Sequence, residues 1–177
     1  MKKILIAALM AILLLTPLVF GCNSPKETPA TGEGFAIYLT LYEIPAASMH
    51  LVKHYYLAVN PFISLNDILS YKIITNEIEL TTDAYERLIQ LQVPTSGRSF
   101  VVCVDKQPIY WGAFWTPISS QSFNGVVIMI PPFPSGELPA NTIRIDCGYP
   151  SPNFCQGEDP RSNTEIMKSL KAAGKLK

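Results

Sequence analysis

A chain of 177 residues with 14 basic and 14 acidic side chains is electrically balanced, which argues against a nucleic-acid partner, because that binding needs a strongly basic face. With 48% hydrophobic residues and a length within the range of one domain, it can build a single core. Its positive mean hydropathy is concentrated in the first twenty residues and does not describe the rest of the chain.

The first element is a targeting segment. Met1, Lys2 and Lys3 precede an apolar run from Ile4 to Leu15, followed by Thr16, Pro17, Leu18, Val19, Phe20 and Gly21. A basic start, an apolar middle and a small residue before the cut make a secretory signal. Counted to Phe20, the apolar stretch holds 17 residues including a proline, short of the roughly 20 that span a bilayer as a straight helix. Val19-Phe20-Gly21-Cys22 then resembles the bacterial lipobox, although Phe20 stands where a small residue is usual. The resemblance implies cleavage after residue 21 and acylation of the Cys22 thiol, so that membrane lipid is the first expected partner. It also implies a place on the cell membrane or outer membrane, facing the extracytoplasmic side. With about 0.8 kcal/mol per buried methylene, two or three acyl chains make such anchoring stable.

Loss of residues 1–21 leaves 156 residues with 12 basic and 14 acidic groups. Residues 22–34 contain no large apolar side chain and read as a lipid-anchored flexible tether with a reach of about 20 Å. Residues 35–177 then form one α+β domain, expected as a small mixed or antiparallel sheet packed by two or three helices.

In that domain Phe35 to Tyr42 reads as a strand with Phe35, Ile37, Leu39 and Leu41 on one face. Residues 46–59 can wind into a helix with Met49, Val52, Tyr56 and Val59 along one side, ended by Asn60-Pro61. Strands are expected over 68–74 and 78–80. A helix follows, capped by Asp83 with Glu86 returning the hydrogen bond, and Tyr85, Leu88, Ile89 and Leu91 recur at helical spacing. Residues 99–104 form a near-continuous apolar strand, as where both faces are covered, and a turn at 105–108 leads into a strand over 109–115. Strands at 126–130 and 142–147 flank the proline-rich loop 131–134. Ser162 and Glu165 make a capping box for a last helix carrying Ile166, Met167 and Leu170. Elements mix without a regular βαβ rhythm, which points to α+β.

Three consecutive segments carry a family resemblance. They are Pro61-Phe62-Ile63-Ser64-Leu65-Asn66-Asp67-Ile68, Ile78-Glu79-Leu80-Thr81-Thr82-Asp83 running to Leu88, and Gly97-Arg98-Ser99-Phe100 running through Val104-Asp105 to Ile109. In order and spacing over residues 61–130 they resemble the first extracytoplasmic (head) domain of the protein-export membrane protein SecD. Lys106 stands where that family usually has glycine. The resemblance implies a strand-helix-hairpin fold and, as an alternative function, an accessory role in protein export or folding.

Chemistry-bearing residues are few. His50 and His54 are the only histidines, and on a helix they share one side, but zinc needs three or four ligands, so no metal site and no cofactor is expected. No Gly-x-Ser-x-Gly elbow occurs, and no spacing of carboxylates points to an active site, so a non-enzymatic role is expected, with an envelope enzyme as the remaining alternative. Of the cysteines after Cys22, pairing Cys147 with Cys155 across a turn-rich stretch is preferred, leaving Cys103 as a small buried hydrophobe; Cys103 with Cys147 is the rival. The best binding candidates are Tyr110, Trp111, Phe114 and Trp115. In a strand these rings alternate between faces, so that either one pair is exposed for an extended peptide or a sugar, or all four fill a covered sheet. Lysines 168, 171, 175 and 177 either touch anionic lipid or favour the negative end of the last helix. A protein or peptide partner in the cell envelope is expected.

Overall fold

The computed structural model describes residues 32–130 and 138–177. The signal segment, Cys22, most of the tether and the 131–134 loop therefore lie outside the described residues. Seven strands form one mixed sheet: β1 (Phe35–Leu39), β2 (Ile68–Lys72), β3 (Glu77–Leu80), β4 (Arg98–Val104), β5 (Gln107–Trp115), β6 (Phe123–Met129) and β7 (Thr142–Tyr149). Their order is β1-β4-β5-β6-β7-β3-β2, antiparallel throughout except for the parallel pair β5–β6. Two α-helices accompany them, α1 (Thr82–Ile89) and α2 (Thr164–Ala172). The α+β class holds, but the sheet is larger than the small one expected.

Period-two alternation decides how the sheet is filled. Phe35, Ile37, Phe100, Val102, Tyr110, Phe114, Val126, Ile128, Ile143 and Ile145 point to one face, where Ala84 and Leu88 of α1 and Ile166 and Leu170 of α2 close the main core. Gly112 lies on that face between Tyr110 and Phe114, opposite Phe100. A Cβ there would come within 2.5 Å of the Phe100 ring, so the bare backbone is what lets Phe100 reach the Phe114 ring at 4.9 Å.

Among the described residues the second face has no α-helix. Residues 44–57 cover Ala36, Tyr38, Val101 and Cys103 with Met49 inserted as a plug. They are fastened by the Ser99 hydroxyl, which donates to the Ile44 carbonyl at 2.6 Å. Here the expected helix over 46–59 is corrected to a 3-10 turn, Ala46–Leu51. Beyond it the chain returns along β1, where the Leu41 amide bonds the Tyr56 carbonyl at 2.7 Å and the Ala58 amide bonds Leu39 at 3.0 Å. Bonding to a strand edge replaces the helical ladder, and Tyr56 and Val59, expected along one side of a helix with Met49, are 64% and 84% exposed while Met49 is buried. Leu41 likewise falls outside β1 and is exposed.

Both outer sheet edges are occupied. Residues 57–63 bridge β1, and the 175–177 segment bonds β2 through Tyr71. Open ladders invite aggregation, and these two segments satisfy them.

Two helix starts differ from expectation by one cap. Thr81, not Asp83, caps α1, its hydroxyl accepting from the Ala84 amide at 3.3 Å; Asp83 sits in the first turn, favoured there by the helix dipole. Asn163, not Ser162, caps α2 by accepting from Glu165 at 2.9 Å. In both cases the true cap adjoins the helix directly, where its side chain reaches the free amides.

Candidate functional site

The described residues form a cleft of about 670 Å³ on the helix-free face, within the roughly 300–1,000 Å³ of small-molecule sites. Four stretches of chain build it. Residues 46–50 of the 3-10 turn supply Ala46, Ala47 and His50; β5 supplies Trp111; the approach to β6 and its start supply Ser122, Phe123, Asn124 and Gly125; and the loop after β7 supplies Asn153, Phe154 and Gln156.

Each wall has a local cause. The β6–β7 register shifts between Phe123 and Val126, a bulge that turns Asn124 outward instead of continuing the ladder. Near the end of β7, Gly148 adopts φ 83°, a left-handed conformation open to glycine. A Cβ there would lie 2.5 Å from the Cys155 amide nitrogen, so the close return of the chain requires glycine twice over. The return is locked by the disulfide Cys147–Cys155, with Cα atoms 5.2 Å apart, which carries Phe154 to the cleft. Asn124 and Gln156 then join the bulge to this loop: the Asn124 Nδ2 donates to the Gln156 Oε1 at 2.9 Å, and the Gln156 amide donates to the Asn124 carbonyl at 3.0 Å.

The floor is aromatic. Trp111 is part-exposed and lies 6.0 Å from Phe123, which stacks on Trp115 at 5.2 Å. Of the four candidate rings, Tyr110, Phe114 and Trp115 are buried, which favours the covered-sheet alternative over an exposed pair; of the four, Trp111 is the one that lines the cleft. Burial drives the Tyr110 hydroxyl well above the usual tyrosine range, so it does not ionise near neutrality. The indole N–H of Trp115 is buried and without a hydrogen-bond partner among the described residues.

Other candidates separate. His50 stands on the 3-10 turn and His54 beyond it, so the shared helical side disappears; both are exposed. Among the described residues no group of three His, Cys, Asp or Glu is placed to hold a metal ion. The preferred disulfide is present, and Cys103 is a free, buried thiol. Burial, helped by the Glu33 carboxylate, pushes that thiol up to about 12, which leaves it protonated and a poor nucleophile. A second hollow, near Ser70, Lys72, Glu77 and Glu79, is only about 160 Å³. Its polar groups already have partners: Lys72 pairs with Glu77, and the Ser70 hydroxyl donates to the Glu79 carboxylate, each at 2.9 Å.

The role of Asn124 and Gln156 had no signal in the sequence, because each is a lone amide in a turn-rich stretch. Among the described residues no helix is long and apolar enough to cross a membrane. No protein-family model, no curated protein and no solved structure matches this chain.

Proposed function

We propose that the chain is an extracytoplasmic bacterial lipoprotein, held to membrane lipid through Cys22, whose domain binds a component of the cell envelope without chemical turnover. Anchoring is supported by the signal segment and its Val19-Phe20-Gly21-Cys22 ending. The Cys147–Cys155 disulfide supports an oxidising compartment, since such bonds are rare where thiols are kept reduced. The observation that carries the binding role is the composition of the cleft: an aromatic floor and an amide wall, lined among the described residues by no carboxylate, lysine or arginine. Hydrolytic sites of the paired-carboxylate kind need two acidic groups across the ligand; nucleophilic sites need a base hydrogen-bonded to an activated hydroxyl or thiol, and although His50 and Ser122 both line the cleft, no hydrogen bond joins them among the described residues.

The test is fractionation of cells carrying native or Cys22→Ser protein. The native chain should pellet with membranes and incorporate labelled fatty acid, and the variant should incorporate none; equal labelling of both, or none in either, would contradict lipid anchoring at Cys22.

A second reading, an accessory of protein export or folding similar to the SecD head, is supported by the chain order β3, α1, β4, β5 over the segments that carry the resemblance. In-cell crosslinking separates the two. Enrichment of export-channel subunits favours the second reading, and capture of other envelope components without them favours the first.

A further inference from the structure

We propose that the cleft beside Trp111 is a binding site for a neutral, gluco-configured oligosaccharide, one pyranose ring lying on the Trp111 indole and its hydroxyls meeting the Asn124 and Gln156 amides. This rests on the domain being a binding module, and it names the ligand class.

Charge narrows the choice first. Among the described residues, the only titratable side chain lining the cleft is His50. An anionic ligand such as a phosphate or carboxylate is held by arginine or lysine forks, and none lines the cleft. A cationic ligand would need carboxylates or a closed aromatic cage, and no carboxylate lines it.

Shape and polarity narrow it further. A purely apolar ligand would leave the amide wall without partners, which costs about 1–3 kcal/mol for each group removed from water. Asn124 and Gln156 satisfy one another through a single side-chain bond, so the Asn124 Oδ1 and the Gln156 Nε2 remain as an acceptor and a donor side by side. Hydroxyls of a sugar are both donors and acceptors and suit that pair. A gluco-configured pyranose also has a flat face of axial C–H groups, which packs on an aromatic ring carrying negative charge on its face.

An extended peptide is disfavoured by topology. Peptides recognised by strand addition need an open sheet edge. At the cleft β6 is held between β5 and β7, and the sheet's outer edges are occupied by residues 57–63 and 175–177.

The test uses the full chain extracted in detergent, titrated with cellotriose and with chitotriose. Of the two tryptophans, Trp115 is 2% exposed but stacks on Phe123 of the cleft, so a ligand-dependent change of fluorescence is assigned to Trp111 when Trp111→Ala abolishes it. A saturable change is expected with at least one sugar at a Kd of about 10⁻⁵–10⁻³ M. By calorimetry Trp111→Ala should weaken binding at least about tenfold, and Asn124→Ala, at an exposed position that leaves the fold intact, about threefold or more. Absence of saturation with both sugars at about 5 mM, or undiminished binding by both variants, overturns the assignment. Two further outcomes tell it apart from the broader reading. Shortening of the bound trisaccharide would sink the non-enzymatic role while leaving the ligand class standing. Failure of both sugars in a protein that still captures an envelope protein would remove the saccharide and keep the binding module.

Discussion

Single residues report on this fold through their backbone or their burial. Asp105 and Lys106 form the two-residue turn between β4 and β5, both left-handed at φ 51° and 65°, the geometry of a tight hairpin turn that suits asparagine and glycine. Asp105 also serves β1, because its carboxylate accepts from the Gly34 amide at 2.7 Å. Lys106 has no such compensation, and a left-handed L-residue costs about 1–2 kcal/mol, part of which glycine's extra chain entropy offsets. Lys106→Gly is therefore expected to stabilise by about 0.5–1 kcal/mol, read as a higher urea midpoint with unchanged slope.

Asp67 predicts an acid response. Burial works to raise its pKa, but the Ser64 amide and hydroxyl and the Arg87 guanidinium outweigh that and hold the carboxyl below its usual range. Bonds from Arg161 do the same for Asp159. Since both folded pKa values are depressed, their contribution is complete above the unfolded value of about 3.9 and is lost as pH falls through the lower folded values. Asp67→Asn should lower the urea midpoint near neutrality, with the gap to the native protein closing as pH drops below about 4. A constant gap down to acid would contradict the ion pair. The raised Cys103 thiol predicts a different readout: iodoacetamide at about pH 8 should leave it unmodified in the native protein and label it in urea.

Elements depend on caps and on long-range closure, which explains what could be read from the sequence and what could not. Apolar spacing placed α1 and α2 and their core residues Leu88, Ile166 and Leu170 correctly, because burial of one helix face is written in the local pattern. The caps were misplaced by one or two positions because Thr81, Thr82 and Asp83 all suit an N-terminus and only geometry selects among them. Thr81→Ala should cost about 1 kcal/mol, whereas Asp83→Ala should cost less, because its charge acts on the helix end without a capping bond. Residues 46–59 looked helical since Met49 and Val52 are correctly spaced, but pairing to β1 is a non-local contact that local spacing does not encode. The parallel pairing of β5 with β6 was equally illegible. Parallel strands usually need a crossover of about a dozen residues or more, yet here residues 116–122 suffice by lying over the helix-free face. The Ser119 hydroxyl donates there to the Thr95 carbonyl, and the Tyr149 hydroxyl donates to the Ser119 carbonyl at 3.1 Å. Of the cleft, Trp111 and the disulfide could be read in advance; the amide wall could not, because it exists only once the β6 bulge meets the loop after β7. Replacing Cys147 and Cys155 together by serine should cost about 2–3 kcal/mol and release Phe154 and Gln156 from the cleft, so saccharide binding should fall further than stability alone explains.

At the scale of the whole molecule, two faces of one sheet do different work. Helices α1 and α2 close the larger core, while the other face is roofed by irregular chain that leaves a cleft between its segments. Regular helices would have filled that space; a 3-10 turn, a bulge and a disulfide loop leave it open with polar groups at its wall. The proposed tether would hold this domain near the bilayer, so that the cleft meets ligands of the envelope. The most direct test is the intact mass of the protein extracted from its own membranes. Cleavage before Cys22 with the added mass of acyl chains is the predicted result, and an unmodified Cys22 or an uncleaved N-terminus would contradict the account.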